Sequence, residues 1–285
     1  MIGVTGASGQ LGRLVIDNLL KKTDASQVVA LVRNAGHADD LQAPGVEVRQ
    51  ADYDQPDTLQ EAFAGLDKLL LISSNAVGQR FPQHQAVIDA AKEAGVRLLA
   101  YTSILNCDTN PMMLADEHKQ TEAAIQESGV PAVILRNGWY TENYTMNLPS
   151  ILQTGVVPGA AAEGKLHTAA RNDYAEAAAV ILTTDDQAGK VYELAGDNGY
   201  TLAEFAAEIT AQSGKQVNYQ SMTGDEFAQL LVQVGLPEGF AAALADSEVH
   251  AANGFLEQQC GTLSALIGRP TKPLSDSIAQ VLSTV

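Results

Sequence analysis

The chain opens with Met1-Ile-Gly-Val-Thr5-Gly6-Ala-Ser-Gly9-Gln-Leu-Gly12, and this stretch decides the fold. An apolar strand runs directly into three evenly spaced glycines, and a helical pattern follows them. Gly6 permits a tight turn, Gly9 lets a pyrophosphate approach the backbone, and Gly12 permits close packing of the helix. The amino end of that helix favours negative charge. A strand, a glycine turn and a helix in this order predict a dinucleotide-binding loop.

The composition excludes several classes of partner. The 285 residues include 17 Lys and Arg against 34 Asp and Glu, for a formal net charge of −17. An acidic surface repels phosphate backbones and anionic lipid, so we expect neither nucleic acid nor a membrane as partner. The two cysteines, Cys107 and Cys260, form no disulfide framework and no metal-ligand spacing. Without a leader or a long apolar run, the sequence predicts a cytoplasmic protein that binds no metal.

The first half of the chain alternates short apolar segments with helical patterns. Strands are predicted at Ile2–Val4, Val28–Val32, Val46–Val48, Lys68–Ile72, Leu98–Tyr101 and Val133–Leu135. Helices are predicted at Leu11–Lys22, Pro56–Ala64, Gln83–Ala94 and Glu117–Ser128. Nearly continuous apolar strands separated by helices indicate a parallel sheet covered on both faces. The fold class is therefore α/β, a Rossmann-like doubly wound parallel sheet.

After about residue 150 the elements become shorter. Asn172 or Asp173 is expected to cap a helix that runs to about Leu182, and Thr201 with Glu204 forms a capping box. Further elements are predicted at Lys190–Leu194, Thr201–Ser213, Gln216–Tyr219, Asp225–Val234, Phe240–Ala245 and Ser275–Leu282. We predict an NAD(P)-binding domain over residues 1–150 and a smaller α+β substrate lid over residues 151–285. Some segments of the second region are free to rejoin the sheet.

Arg33 ends the second predicted strand, about twenty residues after the glycine loop. Enzymes selective for NAD place a carboxylate at this point to bind the ribose hydroxyls, but no acid precedes Asp39 here. A guanidinium binds a ribose 2′-phosphate through two parallel hydrogen bonds. Arg33 therefore favours NADPH, with NADH left open; a solvated surface arginine is the alternative.

Small polar residues leave the other strands of the predicted sheet. Asp52 follows the third strand and is placed either to accept from an adenine amino group or to form a turn. Ser73-Ser74-Asn75 follow the fourth strand and Thr102-Ser103 the fifth. Because the carboxyl ends of parallel strands meet at one edge, we expect these residues beside a bound cofactor. Ordinary turn chemistry is the alternative for each.

The sixth strand leads into Arg136-Asn-Gly-Trp139-Tyr-Thr-Glu-Asn143, which contains the only tryptophan. A flat aromatic surface beside a nicotinamide suits a flat conjugated acceptor. We expect Tyr140 and Asn143 to face the nicotinamide ring and Trp139 to pack at a domain junction.

One catalytic pair is missing from the sequence. None of the eight tyrosines is followed by lysine four residues later; Tyr101 is followed by Leu105 and Tyr174 by Ala178. This excludes the Tyr-x-x-x-Lys pair with which short-chain dehydrogenases handle alcohols. No His–carboxylate or Cys–His set indicates hydrolysis. We therefore expect a reaction that the nicotinamide performs largely unaided, once its ring and the planar ring of an acceptor are positioned face to face.

These motifs together resemble the NmrA-like branch of the atypical short-chain dehydrogenase/reductases. The resemblance rests on the segments Val4–Gly12, Val32–Asn34 and Leu135–Tyr140. Within that family, the chain is similar to bacterial quinone oxidoreductases and to triphenylmethane reductases. The segments that carry this closer likeness are Leu70–Ser74, Val77–Arg80 and Ala115–His118.

The resemblance implies a set of cofactor-binding residues, and in it Arg171 is either a second cation for the cofactor or a surface residue. The set comprises Gly6, Ala7, Ser8, Gly9, Gln10, Leu11, Arg33, Ser73, Ser74, Asn75, Gly138, Trp139, Tyr140, Thr141, Glu142, Asn143 and Arg171. His118 stands where isoflavone-reductase relatives carry a catalytic lysine. His118 and Tyr140 are the candidate proton donors, with a structural role as the alternative for His118.

The sequence and the resemblance together predict NADPH-dependent reduction of quinones, without flavin. The hydroquinone anion is stabilised by resonance and can take its proton from water, so no strong protein acid is needed. Two alternatives stay open: a redox sensor that binds NAD(P) without turnover, and a reductase of triphenylmethane-type dyes. A homodimer is also left open.

Overall fold

The computed structural model describes residues 1–38, 41, 45–258 and 260–284; Asp39 lies outside them. The chain forms two compact units that alternate along the sequence. The first unit comprises Met1–Cys107, Glu117–Asn137 and Asn172–Glu193. The second comprises Asp108–Asp116, Gly138–Arg171 and Leu194–Val285. The units therefore interleave, whereas the predicted regions meet at a single position near residue 150.

The strands are short and lie mostly in the first unit. In chain order they are β1 Ile2–Val4, β2 Val28–Val32, β3 Glu47–Gln50, β4 Lys68–Leu71, β5 Leu98–Ile104, β6 Ala132–Asn137, β7 Val156–Gly159, β8 Val191–Leu194 and β9 Asn218–Ser221. Seven of them form a sheet in the order β3-β2-β1-β4-β5-β6-β8, and the first six pair in parallel. This order confirms the predicted Rossmann-like α/β fold. Strands β7 and β9 pair in parallel as a separate ribbon of the second unit.

Helices connect the strands and make up much of the second unit. They are Gln10–Leu19, Pro56–Phe63, Arg80–Glu93, Met113–Ser128, Glu142–Thr145, Leu148–Thr154, Arg171–Thr183, Leu202–Ser213, Gly224–Gln233, Glu238–Ala252, Thr262–Ile267 and Leu274–Leu282. The capping box predicted at Thr201 and Glu204 is confirmed, and Thr223 with Glu226 forms a second one. Among the described helices, none is long and apolar enough to cross a membrane.

The predicted helix cap at Asn172 or Asp173 is wrong. The helix already begins at Arg171, whose backbone N–H donates to the Glu142 carboxylate at 2.9 Å. The Asn172 side chain instead accepts a hydrogen bond from the Asn18 amide at 3.0 Å. A carboxylate 29 residues earlier in the chain therefore takes the position that a local cap would occupy.

The core of the first unit follows from the alternation of side chains along its strands. Leu69 and Leu71 are fully buried in a cluster with Phe63, Ile88 and Tyr101 on one face of the sheet. The intervening Leu70 is also fully buried, as expected for a strand covered on both faces. This rigid sheet holds the strand exits that the sequence marks as functional.

Candidate cofactor and substrate site

The glycine loop has the geometry that its sequence predicts. Gly6 adopts a φ of +58°, and the N–H of Gly9 closes the turn on the Gly6 carbonyl at 2.9 Å. A Cβ atom on Gly12 would lie 2.4 Å from the carbonyl oxygen of Gly6, so only glycine allows the helix to pack here. The conformational roles of Gly6 and Gly12 are thus confirmed.

The helix Gln10–Leu19 begins at this loop, and its first N–H groups have no carbonyl partner within the helix. Ala7 and Leu11 are buried, whereas Ser8, Gly9 and Gln10 are exposed. The loop therefore offers backbone N–H groups and a helix amino end to a phosphate, which is the donor set that a pyrophosphate requires.

The sequence analysis did not include Arg13 among the residues near the glycine loop. Its Nε donates to the Ser8 carbonyl at 3.0 Å, which places a guanidinium beside the loop. The only signal for it is a basic residue in the first turn of the helix after the glycines.

The order of the strands reverses at β1, which lies inside the sheet. It pairs with β2 on one side, and β4 pairs with it on the other. Ligands of open α/β sheets bind beyond the carboxyl ends of the strands at such a switch point. The residues that leave β1 and β4 are Gly6 and the segment Ser73–Asn75. The topology therefore brings the predicted phosphate loop and the predicted serine segment to one crevice.

Arg33 is exposed at the end of β2, the next strand along this edge. Arg33 lies close enough to Tyr53 for its positive charge to act on the pKa of that tyrosine. The Tyr53 hydroxyl donates to the Ile72 carbonyl at 3.0 Å. Burial raises the pKa of Tyr53 far above its ordinary value, although a hydrogen bond to Thr5 and the charge of Arg33 oppose the increase. Arg33 thus stands at the same edge of the sheet as the glycine loop.

Three other polar residues at strand exits have partners within the protein. The Asp52 carboxylate accepts from the Asp54 N–H at 3.1 Å and from the Gln55 amide at 3.0 Å, as in a turn. The Thr102 hydroxyl accepts from the Ser73 N–H at 2.9 Å, and Ser103 donates to Glu122. These contacts fit the structural alternatives for the three residues.

An ion network around the buried Arg136 supports the exits of β5 and β6. Arg136 lies 2.7 Å from a Glu122 oxygen and 3.0 Å from a Glu193 oxygen. The second Glu193 oxygen accepts from the N–H of Asn106 at 2.8 Å. The carboxylates therefore fix the loop after β5, and Arg136 itself is committed to them.

The Tyr140 segment belongs to the second unit, where it lies against the start of the helix Arg171–Thr183. The Arg171 guanidinium lies 4.7 Å from the centroid of the half-buried Tyr140 ring, a cation–π distance. Thr141 N–H donates to the Ala169 carbonyl at 3.0 Å, and Glu142 accepts from Arg171 as described above. The structure therefore brings Tyr140, Glu142 and Arg171 together.

His118 is buried and lies against Tyr101, with 2.7 Å between the tyrosine hydroxyl and Nδ1. Burial, followed by the positive charge of Arg80, lowers the pKa of His118 well below its ordinary value. The ring is therefore neutral near pH 7. Burial also raises the pKa of Cys107 to about 12, which makes it an inert core thiol.

A model of the NmrA-like family matches residues 1–271. The chain belongs to the NmrA-like family. This NmrA-like protein is 53% identical to quinone oxidoreductase 2 of Escherichia coli strain K12 over 283 residues, with 99% of each chain covered.

Solved structures extend the comparison. The E. coli NADPH-dependent quinone oxidoreductase in complex with NADPH has a TM-score of 0.96 at 53% identity, covering 99% of this chain and 100% of that one. Triphenylmethane reductase of Citrobacter sp. in complex with NADP(H) has a TM-score of 0.94 at 38% identity, with the same coverage. The predicted family membership is confirmed, and the relatives that the sequence indicated are among those found.

Proposed function

We propose that this protein is an NADPH-dependent quinone reductase that acts by hydride transfer to a planar conjugated acceptor. The observation that carries the proposal is the full-length likeness to a quinone oxidoreductase whose crystal structure contains NADPH. Reduction of triphenylmethane-type dyes is the second candidate, because the Citrobacter enzyme shares the whole fold at lower identity.

The residues of the first unit fit a dinucleotide at the switch point. We assign the pyrophosphate to the backbone of Gly6–Leu11 and the 2′-phosphate to Arg33, with Ser73–Asn75 beside the middle of the cofactor. Arg13 adds a second cation near the phosphates, which matters for a chain of net charge −17. When bound, NADPH supplies the hydride.

The assignments in the second unit, Gly138–Asn143 and Arg171, rest on the family resemblance. In this arrangement Arg171 holds the Tyr140 ring by its guanidinium, while Glu142 is occupied as the cap of the following helix. Tyr140 is then a surface against which a flat acceptor can pack, with its hydroxyl as a candidate donor. Because His118 is neutral and buried, we propose a structural role for it.

Turnover tests the proposal directly. Purified protein should oxidise NADPH when a benzoquinone or a naphthoquinone is added, and more slowly or not at all without an acceptor. Crystal violet in place of the quinone measures the dye activity. Tight NADPH binding without oxidation across these acceptors would favour the redox sensor instead.

Arg33 tests the cofactor assignment. Arg33→Ala should weaken NADPH on the order of tenfold to a hundredfold and leave NADH nearly unchanged, since a charge-assisted contact is worth roughly 1.5–3 kcal/mol. The matched control is Arg97→Ala, which removes an exposed cation just before β5, at the opposite end of the strands. Equal losses for both cofactors would show that Arg33 does not bind the 2′-phosphate.

A cytoplasmic location and a homodimer also stay predictions.

A further inference from the structure

Two side chains hold both backbone groups of Ser74, the central residue of the segment after β4. The N–H of Ser74 donates to Nε2 of His84 at 2.9 Å. The carbonyl of Ser74 accepts from Nε of Arg80 at 2.6 Å. Arg80 and His84 lie one turn apart on the helix Arg80–Glu93. One face of this helix therefore provides the hydrogen-bond partners of both the N–H and the carbonyl of Ser74.

The partners of His84 determine its tautomer. A backbone N–H is only a donor, so Nε2 must carry a lone pair and the ring proton must lie on Nδ1. Nδ1 lies 2.9 Å from the Thr121 hydroxyl. That hydroxyl donates to the Glu117 carbonyl at 2.7 Å, which leaves its lone pair for the His84 proton. The chain of hydrogen bonds therefore has one consistent direction, from Ser74 through His84 and Thr121 to Glu117.

The surroundings keep this imidazole neutral. His84 is fully buried, and burial followed by the charge of Arg80 lowers its pKa to about 3. The titratable or charged groups that face the ring are Tyr53, Tyr101 and Arg80, with His118 beyond Tyr101. A protonated ring would place two N–H groups head to head at Ser74.

The helix that carries both side chains is itself anchored. The Glu117 carboxylate accepts from the backbone N–H groups of Gly78 at 2.9 Å and Arg80 at 2.7 Å. These are donors at the amino end of the helix, where a carboxylate is favoured. Thr121 and Glu117 therefore fix the helix as well as the ring.

We propose that His84 is a positioning residue: with Arg80 it sets the backbone of Ser73–Asn75 in the conformation that binds the dinucleotide, and it does so only as the Nδ1–H tautomer. The proposal rests on the proposed function, which assigns this segment to the cofactor. His84 itself touches neither the cofactor nor the substrate in this role.

Glutamine and leucine distinguish the clamp from simple core packing. A glutamine amide can accept from Ser74 through its oxygen and donate to Thr121 through its nitrogen, whereas leucine fills the space without either bond. His84→Leu should raise the Kd for NADPH on the order of tenfold, and His84→Gln should recover most of that loss. At saturating NADPH, kcat with a benzoquinone should change less than twofold in both variants.

The tautomer gives a readout that does not depend on any variant. In protein labelled with ¹⁵N-histidine, the His84 signals should show a protonated Nδ1 and an unprotonated Nε2 that do not titrate between pH 5 and 8. A ring protonated at Nε2, or one that titrates in this range, overturns the clamp even if the variants fail to fold.

The outcomes separate this inference from the proposed function. Wild-type turnover together with unchanged NADPH affinity in His84→Leu overturns the positioning role and leaves the quinone reductase standing. Equal losses in His84→Leu and His84→Gln also overturn it, because packing alone would then explain the effect. Wild-type protein that binds no NADPH overturns both.

Discussion

Both units bury histidines whose pKa is lowered, at His84 and His118 in the first and at His167 in the second, and the second also buries a carboxyl whose pKa is raised. The first unit encloses the neutral imidazoles of His84 and His118, whose pKa values are lowered by burial. The second encloses the carboxyl of Glu248, whose pKa burial raises to about 7 although the backbone of Ala160 and Ala161 donates to it. Each shift favours the neutral form of the group, because burial penalises an ionised side chain that has no charged partner.

The buried imidazoles and the buried carboxyl respond to pH in opposite directions. Below about pH 6.5 the unfolded chain protonates its histidines while the buried rings of His84 and His118 stay neutral, so acid removes stability through these rings. Above about pH 4.5 the unfolded chain ionises its glutamates while Glu248 stays protonated up to about pH 7. Rising pH therefore removes stability from the second unit. Each unit can be tested by its own buried group.

The largest effect is expected where the first unit does bury charges. Arg136→Met should lower the free energy of unfolding by about 3–5 kcal/mol, because it leaves the half-buried carboxylates of Glu122 and Glu193 without the buried cation that pairs with both. Urea denaturation at pH 7 measures it. The control Arg97→Met breaks the exposed pair with Asp67 and should cost less than about 1 kcal/mol. Similar losses in both variants would contradict a structural role for the buried network.

Glu248→Gln tests the second unit. A raised acid pKa contributes stability that is fully present below about pH 4.5 and is lost as pH rises through about 7. The glutamine does not ionise, and its oxygen can still accept from Ala160. The variant should therefore gain up to about 3 kcal/mol over wild type between pH 4.5 and 7.5, measured by urea denaturation at both values. A constant difference across this range would show that Glu248 is ionised in the folded protein.

His118→Gln tests the first unit by the opposite trend. Glutamine keeps a polar partner for Tyr101 and removes the titration. Between pH 7.5 and 5 the free energy of unfolding of the wild type should fall by about 2 kcal/mol more than that of the variant. The reason is that His118 gains a proton in the unfolded chain, whereas the buried ring stays neutral in the folded protein. Thermal or urea unfolding at both pH values shows the difference. If wild type and variant lose stability in parallel, the folded ring already takes up the proton.

Tyr140→Phe should have the smallest effect, since it keeps the ring against Arg171 and removes only the hydroxyl. If quinone reduction needs positioning and no protein acid, kcat should fall less than about tenfold, whereas loss of a general acid costs about 10²–10⁴. Steady-state kinetics with a benzoquinone at saturating NADPH measure it. A collapse of kcat with intact NADPH affinity would make the Tyr140 hydroxyl the proton donor.

The first unit was more predictable from sequence than the second. Most of its strands are almost continuously apolar, with β3 as the exception, and its helices are separated by clear turns, so periodicity located nearly all of them. In the second unit, the segment after Gly155 forms strand β7, which no prediction included. Its partner β9 lies 62 residues later in the chain, and a four-residue strand carries little signal without it. The helix predicted at Phe240–Ala245 extends over Glu238–Ala252 because alanine-rich sequence gives no boundary.

The candidate site divides in the same way. Glycines act through their own backbone and their immediate neighbours, so the conformations of Gly6 and Gly12 were readable from the sequence. From the sequence alone, Thr102 and Ser103 fit the role of cofactor ligand and that of turn residue equally well. The two roles are distinguished by the hydrogen bonds to the Ser73 backbone and to Glu122. Those partners are close only after the strands have paired.

The sequence by itself determined the Rossmann-like order, the glycine loop and the family, because these depend on local conformation and on patterns that survive in one dimension. Only the tertiary structure decided which polar groups hold others in place. The helix that holds Ser74 through His84 and Arg80 is itself fixed by Thr121 and Glu117, 37 residues later in the chain. The cap that Glu142 places on the helix at Arg171 likewise joins residues that are 29 positions apart. The same holds for the lowered pKa of His118 and the raised pKa of Glu248, since burial is a property of the packed chain and not of any residue in it.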